Sequence, residues 1–429
     1  MTNLNQKPII SIIIPTKNRA EYLRFTLDTL TQQDYGNLHV IISDDGSIDN
    51  TKELVERYSE KDRRITYINP GSEVGMAANF EFALAQVKSG YVMAIGGDDG
   101  LCSDTSVSEM ADAVQQSSCG LVTWRPPLYI YKGGRAGNYG QLISGFTMKD
   151  TMVSSLDLLE SLSVNLDYIS NPLVPMIYGK SIVSTKIVDK VKARSKNKAF
   201  YQCSTPDGYS GIVLAGELKE YPFLNKSFTI MGAAPDSQGY VYTDGKKESV
   251  KQAEEFFQRS ENQRMHKDLA SQAYSPLISL MTADFLLSAK DLDGWPSKFP
   301  GINYQILIDK CINELQNSNF HLTRIPREIN IVHNIAKMHR LESHFLKQIE
   351  QRRDLRKPLC GSAFSHTRCY FSAQYHSLDN ISDGADFYLK HRAMLFFGFK
   401  PVEFFYAFFN SVIYAIRSAH IGTRLSRYL

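Results

Sequence analysis

Short apolar runs alternate with longer amphipathic stretches over the first hundred residues. Residues 9–14 are nearly all β-branched and precede Pro15, and residues 38–43 and 91–95 form similar apolar runs. Runs of this kind are typical of strands that are buried on both faces of a parallel sheet. A shorter run at residues 65–69 predicts one more strand.

The stretches between these runs have helical periodicity. Leu23, Leu27 and Leu30 recur at helical spacing, and the stretches that begin near Asn50 and after Gly75 have the same character. Strands that alternate with helices in this way imply right-handed crossovers, so we predict an α/β fold with a doubly wound, mostly parallel sheet. The carboxyl ends of its strands meet at one edge, which is where such sheets bind ligands.

Polar and acidic residues collect at this predicted edge. Thr16 and Asn18 follow the first strand, Asp44, Asp45 and Ser47 follow the second, and Asp98 and Asp99 follow the fourth. Carboxylates can accept hydrogen bonds from a base or a ribose, while helix N-termini and a metal ion offset the charge of a diphosphate. The edge therefore indicates a nucleotide site, although Asp-Asp-Gly alone is equally typical of a solvated turn.

Composition and motifs narrow the function further. A net charge of +3 over 429 residues does not indicate nucleic acid as a partner. The first strand is not followed by GxGxxG, and GxxxxGK[ST] does not occur, so the common nucleotide-binding motifs are absent from the sequence. The six cysteines form no CxxC pair and the N-terminal residues do not resemble a signal peptide, so we expect a cytoplasmic protein.

Four segments carry a family resemblance: residues 12–19, 42–49, 75–79 and 90–99. In order and spacing, they resemble the N-terminal half of family 2 inverting glycosyltransferases of the GT-A fold, of the bacterial surface-polysaccharide type. The match covers roughly the first 105 residues. The resemblance implies that the donor nucleotide is bound by Pro15, Thr16, Asn18, Asp45, Asn79 and Asp98. It also implies that Asp98 and Asp99 hold a divalent metal, either Mn²⁺ or Mg²⁺.

The sequence departs from the family pattern at Gly96. Many members have an aspartate at this position, whereas this chain reads Gly-Gly-Asp-Asp over residues 96–99. The departure leaves open which of the two carboxylates holds the metal. One or two carboxylates together with phosphate oxygens are sufficient to bind Mg²⁺, so the metal prediction stands.

Asp207 is the predicted catalytic base. A sugar hydroxyl needs a general base for direct displacement, and the resemblance places this carboxylate about a hundred residues beyond the metal pair, near a helix start. Asp207 follows a proline and precedes an apolar segment, but an aspartate there can also be an ordinary helix cap. Asp167 and Glu217 are the alternative candidates.

The middle of the chain gives weaker signals. Residues 133–145 are rich in glycine, which predicts a loop over the site. Residues 151–162 are predicted to form a helix that Thr151 caps, since Leu156, Leu159 and Leu162 share a face.

We predict three regions: a nucleotide-sugar-binding catalytic domain at residues 1–245, an appended helical domain at 246–392 and an aromatic and basic tail at 393–429. Lys400, Pro401 and Glu403 interrupt the apolar run of the tail, so too few continuous apolar residues remain to span a membrane. It suits a helix that lies in the membrane interface, which would place the protein at the inner face of the membrane. A buried or dimer-forming helix of a soluble protein fits the same pattern.

The expected function is metal-dependent, inverting transfer of a sugar from a nucleoside-diphosphate sugar, with UDP as the expected nucleotide. The acceptor would be a hydroxyl of a glycan or of a lipid-linked saccharide. A non-catalytic nucleotide-sugar scaffold or sensor is the alternative that Gly96 suggests. A nucleotidyltransferase is disfavoured because residues 15–18 lack the glycine-rich loop of that class.

Overall fold

A computed structural model describes residues 7–133, 140–145, 148–242, 245–259, 264–295, 301–317, 320–321, 323–353, 368–372 and 380–391. Its strands are β1 Ile10–Thr16, β2 Leu38–Asp44, β3 Ile65–Ile68, β4 Tyr91–Ala94, β5 Gly100–Leu101, β6 Leu121–Trp124, β7 Leu128–Ile130, β8 Gln141–Gly145, β9 Thr151–Ser154, β10 Ser181–Ser184, β11 Glu220–Leu224, β12 Thr229–Ala233 and β13 Arg368–Ser372.

Helices of the N-terminal two thirds are α1 Ala20–Thr31, α2 Thr51–Ser59, α3 Met76–Leu84, α4 Ser106–Gln116, α5 Ser155–Asn165, the kinked α6 Ile177–Lys180, α7 Thr185–Arg194, α8 Pro206–Glu217 and α9 Gln238–Val241. Those that follow are α10 Lys247–Arg259, α11 Ile278–Lys290, α12 Tyr304–Asn317, α13 Ile325–Met338, α14 Glu342–Arg353 and α15 Ile381–His391.

The main sheet has the strand order β3-β2-β1-β4-β10-β6-β11-β9. Strands β3, β2, β1 and β4 are parallel, with Ile13 opposite both Ile41 and Ala94, whereas β10 runs antiparallel between β4 and β6. Ile12, Ile13 and Ile14 are fully buried because helices cover both faces of β1. The predicted doubly wound, mostly parallel sheet is confirmed.

A second sheet, ordered β13-β8-β7-β12-β5, lies beside the first. Ile230 of β12 is paired with Gly100 of β5, immediately after the two adjacent aspartates. This pairing brings the loop that follows β12 to the carboxyl end of β4. The second sheet therefore completes the edge at which the acidic residues collect.

Two local predictions are wrong. Residues 141–145 of the predicted loop form strand β8, which is paired on both sides, while residues 134–139 lie outside the described residues. Residues 151–154 form strand β9, and the helix begins only at Ser155, where the Ser154 hydroxyl accepts a hydrogen bond from the N–H of Asp157. Strand β9 pairs with β11, so tertiary pairing outweighs the helical pattern there.

The predicted C-terminal helical region is confirmed, and it shares a core with the sheet. A continuous cluster of buried side chains extends from Ile13 and Val92 in the sheet to Phe285 of α11 and Ile335 of α13. Strand β13 and helix α15 return to the second sheet, where Ile381 is fully buried. The boundary near residue 245 stays a prediction, as does the role of the tail, which lies outside the described residues.

None of the helices in the described part of the chain is long and apolar enough to cross a membrane.

Candidate active site

The carboxyl ends of β1, β2 and β4 form one continuous rim. The N–H of Asp45 donates to the carbonyl of Thr16 over 2.9 Å, which joins the loops after β2 and β1. A Cβ placed on Gly97 would lie 3.0 Å from Oγ1 of Thr16, so the loop after β4 adjoins the same point. The topology thus brings the three polar loops together.

Backbone amides hold the two adjacent carboxylates. Asp99, which is fully buried, accepts hydrogen bonds from the N–H groups of Gly96 at 2.6 Å and Gly232 at 2.7 Å. Oδ2 of Asp98 accepts from the N–H of Ala234 at 3.1 Å and from the hydroxyl of Ser237 at 3.0 Å. The end of β12 and the loop after it therefore hold both side chains in place.

The electrostatics of this pair suit a cation. Burial and the neighbouring charge of Asp98 raise the pKa of Asp99 to about 7. Within the described part of the chain, Oδ1 of Asp98 accepts no hydrogen bond. The free oxygen of Asp98 could bind a divalent ion, and such an ion would stabilise the negative charge of the neighbouring Asp99. Diphosphate oxygens and water would complete the coordination of the ion. Asp98 is the better candidate ligand, because backbone amides occupy both oxygens of Asp99.

Arg19 lies beside the carboxylate pair and was not predicted as a site residue. Its guanidinium forms an ion pair with Asp236 and also donates to the carbonyl of Asp236 at 2.9 Å. Burial would lower the pKa of Arg19, but the charges of Asp98 and Asp236 outweigh it and raise the pKa. The arginine brings a permanent positive charge to the rim, which is suited to a diphosphate.

Asn18 links the first two loops of the rim. Its backbone has a positive φ of 52°, its N–H donates to the Ser47 hydroxyl at 2.7 Å, and its Oδ1 accepts from the N–H of Ile48 at 2.8 Å. Asn18 is exposed, Pro15 is half-buried and Thr16 is buried, and among the residues that the structure describes its hydroxyl has no hydrogen-bond partner. An unpaired buried hydroxyl is available to a ligand.

Asp45 and Asn79 are both hydrogen-bonded within the protein. The two carboxylate oxygens of Asp45 accept from the N–H groups of Val74 at 2.6 Å and Gly75 at 3.0 Å, which lead into α3. Asn79 exchanges hydrogen bonds with Ser43 of β2 and is buried. Asp45 therefore lies on the rim, whereas Asn79 is buried and bonded to strand β2.

Asp207 lies in the first turn of α8. The N-cap is Thr205 and Pro206 is the first helical residue, so Asp207 is not the cap residue. Its carboxylate accepts a hydrogen bond from the N–H of Gly208, and partial burial raises its pKa. A raised pKa makes a carboxylate a stronger base once it is ionised.

The two alternative bases have other partners. Glu217 forms an ion pair with Arg194 at the opposite end of α8, roughly 15 Å along the helix axis from Asp207. Asp167 accepts from the N–H of Ser170 at 2.9 Å in a tight turn. Asp207 differs from both, because its negative charge contributes to the raised pKa of Tyr178. The charges of Asp98 and Asp99 raise the same pKa.

Tyr178 connects the two acidic sites. Its hydroxyl is hydrogen-bonded to Asp99, and burial and the charges of Asp99, Asp98 and Asp207 raise its pKa. The backbone at Tyr178 bridges to Ala94 at the end of β4. No sequence pattern selects this tyrosine, because its position depends on contacts between distant parts of the chain.

Comparison with known proteins matches the N-terminal third of the chain to a family. Residues 11–154 match the family described as Glycosyl transferase family 2. This segment is a glycosyltransferase family 2 domain. The match agrees with the family that the sequence motifs indicated. The match includes the rim from Thr16 to Asp99 and ends before Tyr178 and Asp207.

Individual relatives align with this chain over limited segments. A "GalNAc(5)-diNAcBac-PP-undecaprenol beta-1,3-glucosyltransferase" of Campylobacter jejuni is 30% identical over 154 residues, which is 35% of this chain and 48% of the relative. "Glycosyltransferase GlyA" of Streptococcus pneumoniae is 34% identical over 90 residues, 21% of this chain and 13% of the relative. The chain thus spans less than half the length of these relatives.

Solved structures are similar over a larger share of the chain but at low identity. A crystal structure of S. aureus TarS residues 1–349 in complex with UDP-GlcNAc has a TM-score of 0.48 and 16% identity, covering 81% of this chain and 91% of that one. A Pyrobaculum calidifontis mannosyltransferase in complex with GDP-Man and Mn²⁺ has a TM-score of 0.38 and 13% identity, covering 82% and 89%.

Proposed function

We propose that this chain is a metal-dependent, inverting glycosyltransferase that moves a sugar from a UDP-linked donor to a hydroxyl of a glycan or lipid-linked acceptor. The observation that carries the proposal is the position of Tyr178. Its hydroxyl is hydrogen-bonded to Asp99, which we assign to the donor side, and its pKa is raised by the charge of Asp207, which we assign to the acceptor side. A carboxylate pair for the diphosphate and a separate base are what direct displacement requires.

The donor half of the site would be the rim. Pro15, Thr16, Asn18, Asp45, Asn79 and Asp98 are the residues that we assign to nucleotide binding. The free hydroxyl of Thr16 can bind a phosphate or ribose oxygen, and Arg19 can offset the charge of the diphosphate. Asn79 acts indirectly, because its amide is engaged with Ser43.

A divalent ion, Mn²⁺ or Mg²⁺, would be held by Asp98 and supported by Asp99. When bound, such an ion stabilises the negative charge of the leaving diphosphate. The amides of Gly232 and Ala234 hold the two carboxylates in place through hydrogen bonds. This preorganisation limits the reorganisation that donor binding requires.

The acceptor half would be organised by Asp207. Its carboxylate takes the proton of the acceptor hydroxyl as that oxygen attacks the anomeric carbon, on the face opposite the diphosphate. The half-buried position and the raised pKa favour proton transfer from a weak acid. Inversion at the anomeric carbon follows from a single displacement.

The acceptor and the location of the enzyme belong to the same proposal. The name of the Campylobacter jejuni relative contains a saccharide linked to PP-undecaprenol, which supports a lipid-linked acceptor. The aromatic and basic residues 393–429 would hold the enzyme at the inner face of the membrane, close to such a lipid.

The proposal is tested with the purified full chain. A panel of nucleotide sugars with Mn²⁺ is screened by thermal shift, since a true donor stabilises the fold by mass action. Release of the nucleoside diphosphate is then measured with lipid-linked and soluble saccharide acceptors. Turnover that is lost in Asp207→Asn, while that variant still binds the donor, supports the proposal. Tight binding without turnover on any acceptor favours the sensor alternative.

A further inference from the structure

Gly96 has no room for a side chain because Tyr178 occupies that space. A Cβ placed on Gly96 would lie 2.4 Å from the Tyr178 hydroxyl, 2.9 Å from Oδ1 of Asp98 and 3.2 Å from Oδ2 of Asp99. Real Cβ atoms do not approach another atom to 2.4 Å without a displacement. The hydroxyl of Tyr178 is therefore located where the first atoms of a residue 96 side chain would be.

The backbone around Tyr178 is shaped to deliver this hydroxyl. Helix α6 is broken at Tyr178, where ψ is 115°, and at Gly179, where φ is +70°. A Cβ on Gly179 would meet Met231 of β12 at 3.2 Å, so β12 packs closely behind the break. The break lets residue 178 bridge to Ala94 of β4 instead of continuing a helix.

The same segment is tied to the helix that carries Asp207. The N–H of Ile177 donates to the Ser210 hydroxyl at 3.2 Å, and that hydroxyl donates to the carbonyl of Asp207 at 2.5 Å. Ser210 is fully buried, so the connection is shielded from water. The main chain next to Tyr178 and the first turn of α8 thus form one hydrogen-bonded unit.

We propose that Tyr178 is a positioning residue whose hydroxyl takes the space left by the missing side chain at Gly96 and sets the geometry between the Asp98–Asp99 pair and Asp207. Its hydroxyl donates a hydrogen bond to Asp99, and its main chain is coupled through Ser210 to Asp207. This inference rests on the proposed function for the meaning of the two acidic sites. The steric coupling of residues 96 and 178 does not depend on it.

A purely structural tyrosine would not need this environment. The Tyr178 hydroxyl donates to the buried carboxylate of Asp99, whereas the Tyr35 hydroxyl donates to the carbonyl of Pro8 at 2.6 Å away from the rim. Tyr35→Phe is therefore a matched control, since it also removes one hydroxyl and leaves the ring in place.

The first experiment compares Tyr178→Phe with Tyr35→Phe. Loss of one hydrogen bond to a charged group predicts a fall of about 10- to 100-fold in kcat for Tyr178→Phe. UDP binding in the presence of Mn²⁺, measured by calorimetry, should weaken in the same variant. The melting temperatures of both variants should stay close to that of the parent. Equal kcat and equal UDP affinity in Tyr178→Phe and the parent would overturn the positioning role.

The second experiment tests the steric coupling without any activity measurement. Gly96→Ala should lower the melting temperature, and the same substitution should lower it less in a Tyr178→Ala background, where only the contacts with Asp98 and Asp99 remain close. Additive losses in the double variant would overturn the inference. If the parent binds no nucleotide sugar at all, the proposed function fails, yet this thermal cycle still decides whether residues 96 and 178 share one space.

Discussion

Gly232 donates its backbone N–H to Asp99 over 2.7 Å, although 133 residues separate the two in the chain. The contact exists because β12 pairs with β5, which begins one residue after Asp99. A Cβ on Gly232 would lie 1.7 Å from the carbonyl oxygen of Asp98, so a glycine is needed for the loop to come this close. The acidic pair is thereby built from two distant segments.

Substitution of Gly232 should separate these segments. Gly232→Ala must displace the backbone at Asp98, and an overpacked site of this kind costs about 1–3 kcal/mol of unfolding free energy. Urea denaturation checks the loss. Gly36→Ala is the matched control, because a Cβ there meets nothing within 4 Å. Equal losses in the two variants would contradict the close approach.

Removal of the charge of Asp98 should affect ligand binding more than folding. Asp98→Asn can keep the hydrogen bonds from Ala234 and Ser237 but weakens any bond to a divalent ion. We expect Mn²⁺-dependent binding of UDP to weaken by more than about tenfold while the melting temperature changes little. Asp112→Asn, on the exposed face of α4, should leave both properties unchanged. A variant at residue 98 that binds Mn²⁺ and UDP as the parent does would exclude Asp98 as a ligand.

The acidic limb of the pH profile should report Asp207. Because partial burial raises the pKa of this carboxyl, the base form appears only above the ordinary range for an aspartate. The value of kcat/KM should therefore rise with pH through this raised pKa, and Asp207→Asn should lower kcat by about 10²- to 10⁴-fold. Initial rates measured from pH 4.5 to pH 8 provide the test. A limb that persists in residual Asp207→Asn activity would have to come from another group.

Asp284 should make stability depend on pH. Burial raises its pKa from 3.8 to about 6, and its carboxylate accepts from the N–H of His266 at 2.6 Å. The folded state therefore holds this proton more tightly than the unfolded chain does. The contribution of this group to the free energy of unfolding is complete below pH 3.8. It decreases by ~3 kcal/mol as the pH rises to about 6.

Asp284→Asn removes this titration and keeps an oxygen that can accept from His266. The unfolding free energy of the variant relative to the parent should therefore rise between pH 4 and pH 7, as measured by urea denaturation. Parallel pH curves for the two proteins would show that the carboxyl titrates alike in the folded and unfolded states.

Deletion of residues 393–429 should weaken membrane binding. The segment combines aromatic residues with several arginines, a pattern that favours anionic interfaces. Cosedimentation with anionic vesicles should decrease on deletion, whereas neutral vesicles should bind the full chain weakly. A truncated protein that sediments as well as the full chain would assign membrane binding elsewhere or exclude it.

The sequence alone determined the sheet and the rim. Residues 9–14, 38–43 and 91–95 are short, mostly apolar runs bounded by turn residues, which predicts buried strands, and the parallel order then places Thr16, Asp45 and Asp98 on one edge. Local pattern failed at residues 141–145 and 151–154, where pairing with distant strands decides the structure.

Only the tertiary structure decided how the carboxylates are held. The donors to Asp98 and Asp99 include the backbone amides of Gly96, Gly232 and Ala234, and an amide leaves no mark in the sequence because almost every residue has one. Tyr178 is likewise selected by a helix break and by the absence of a Cβ at Gly96. Strand burial is a local, periodic property, whereas the geometry of this site depends on contacts between segments more than a hundred residues apart.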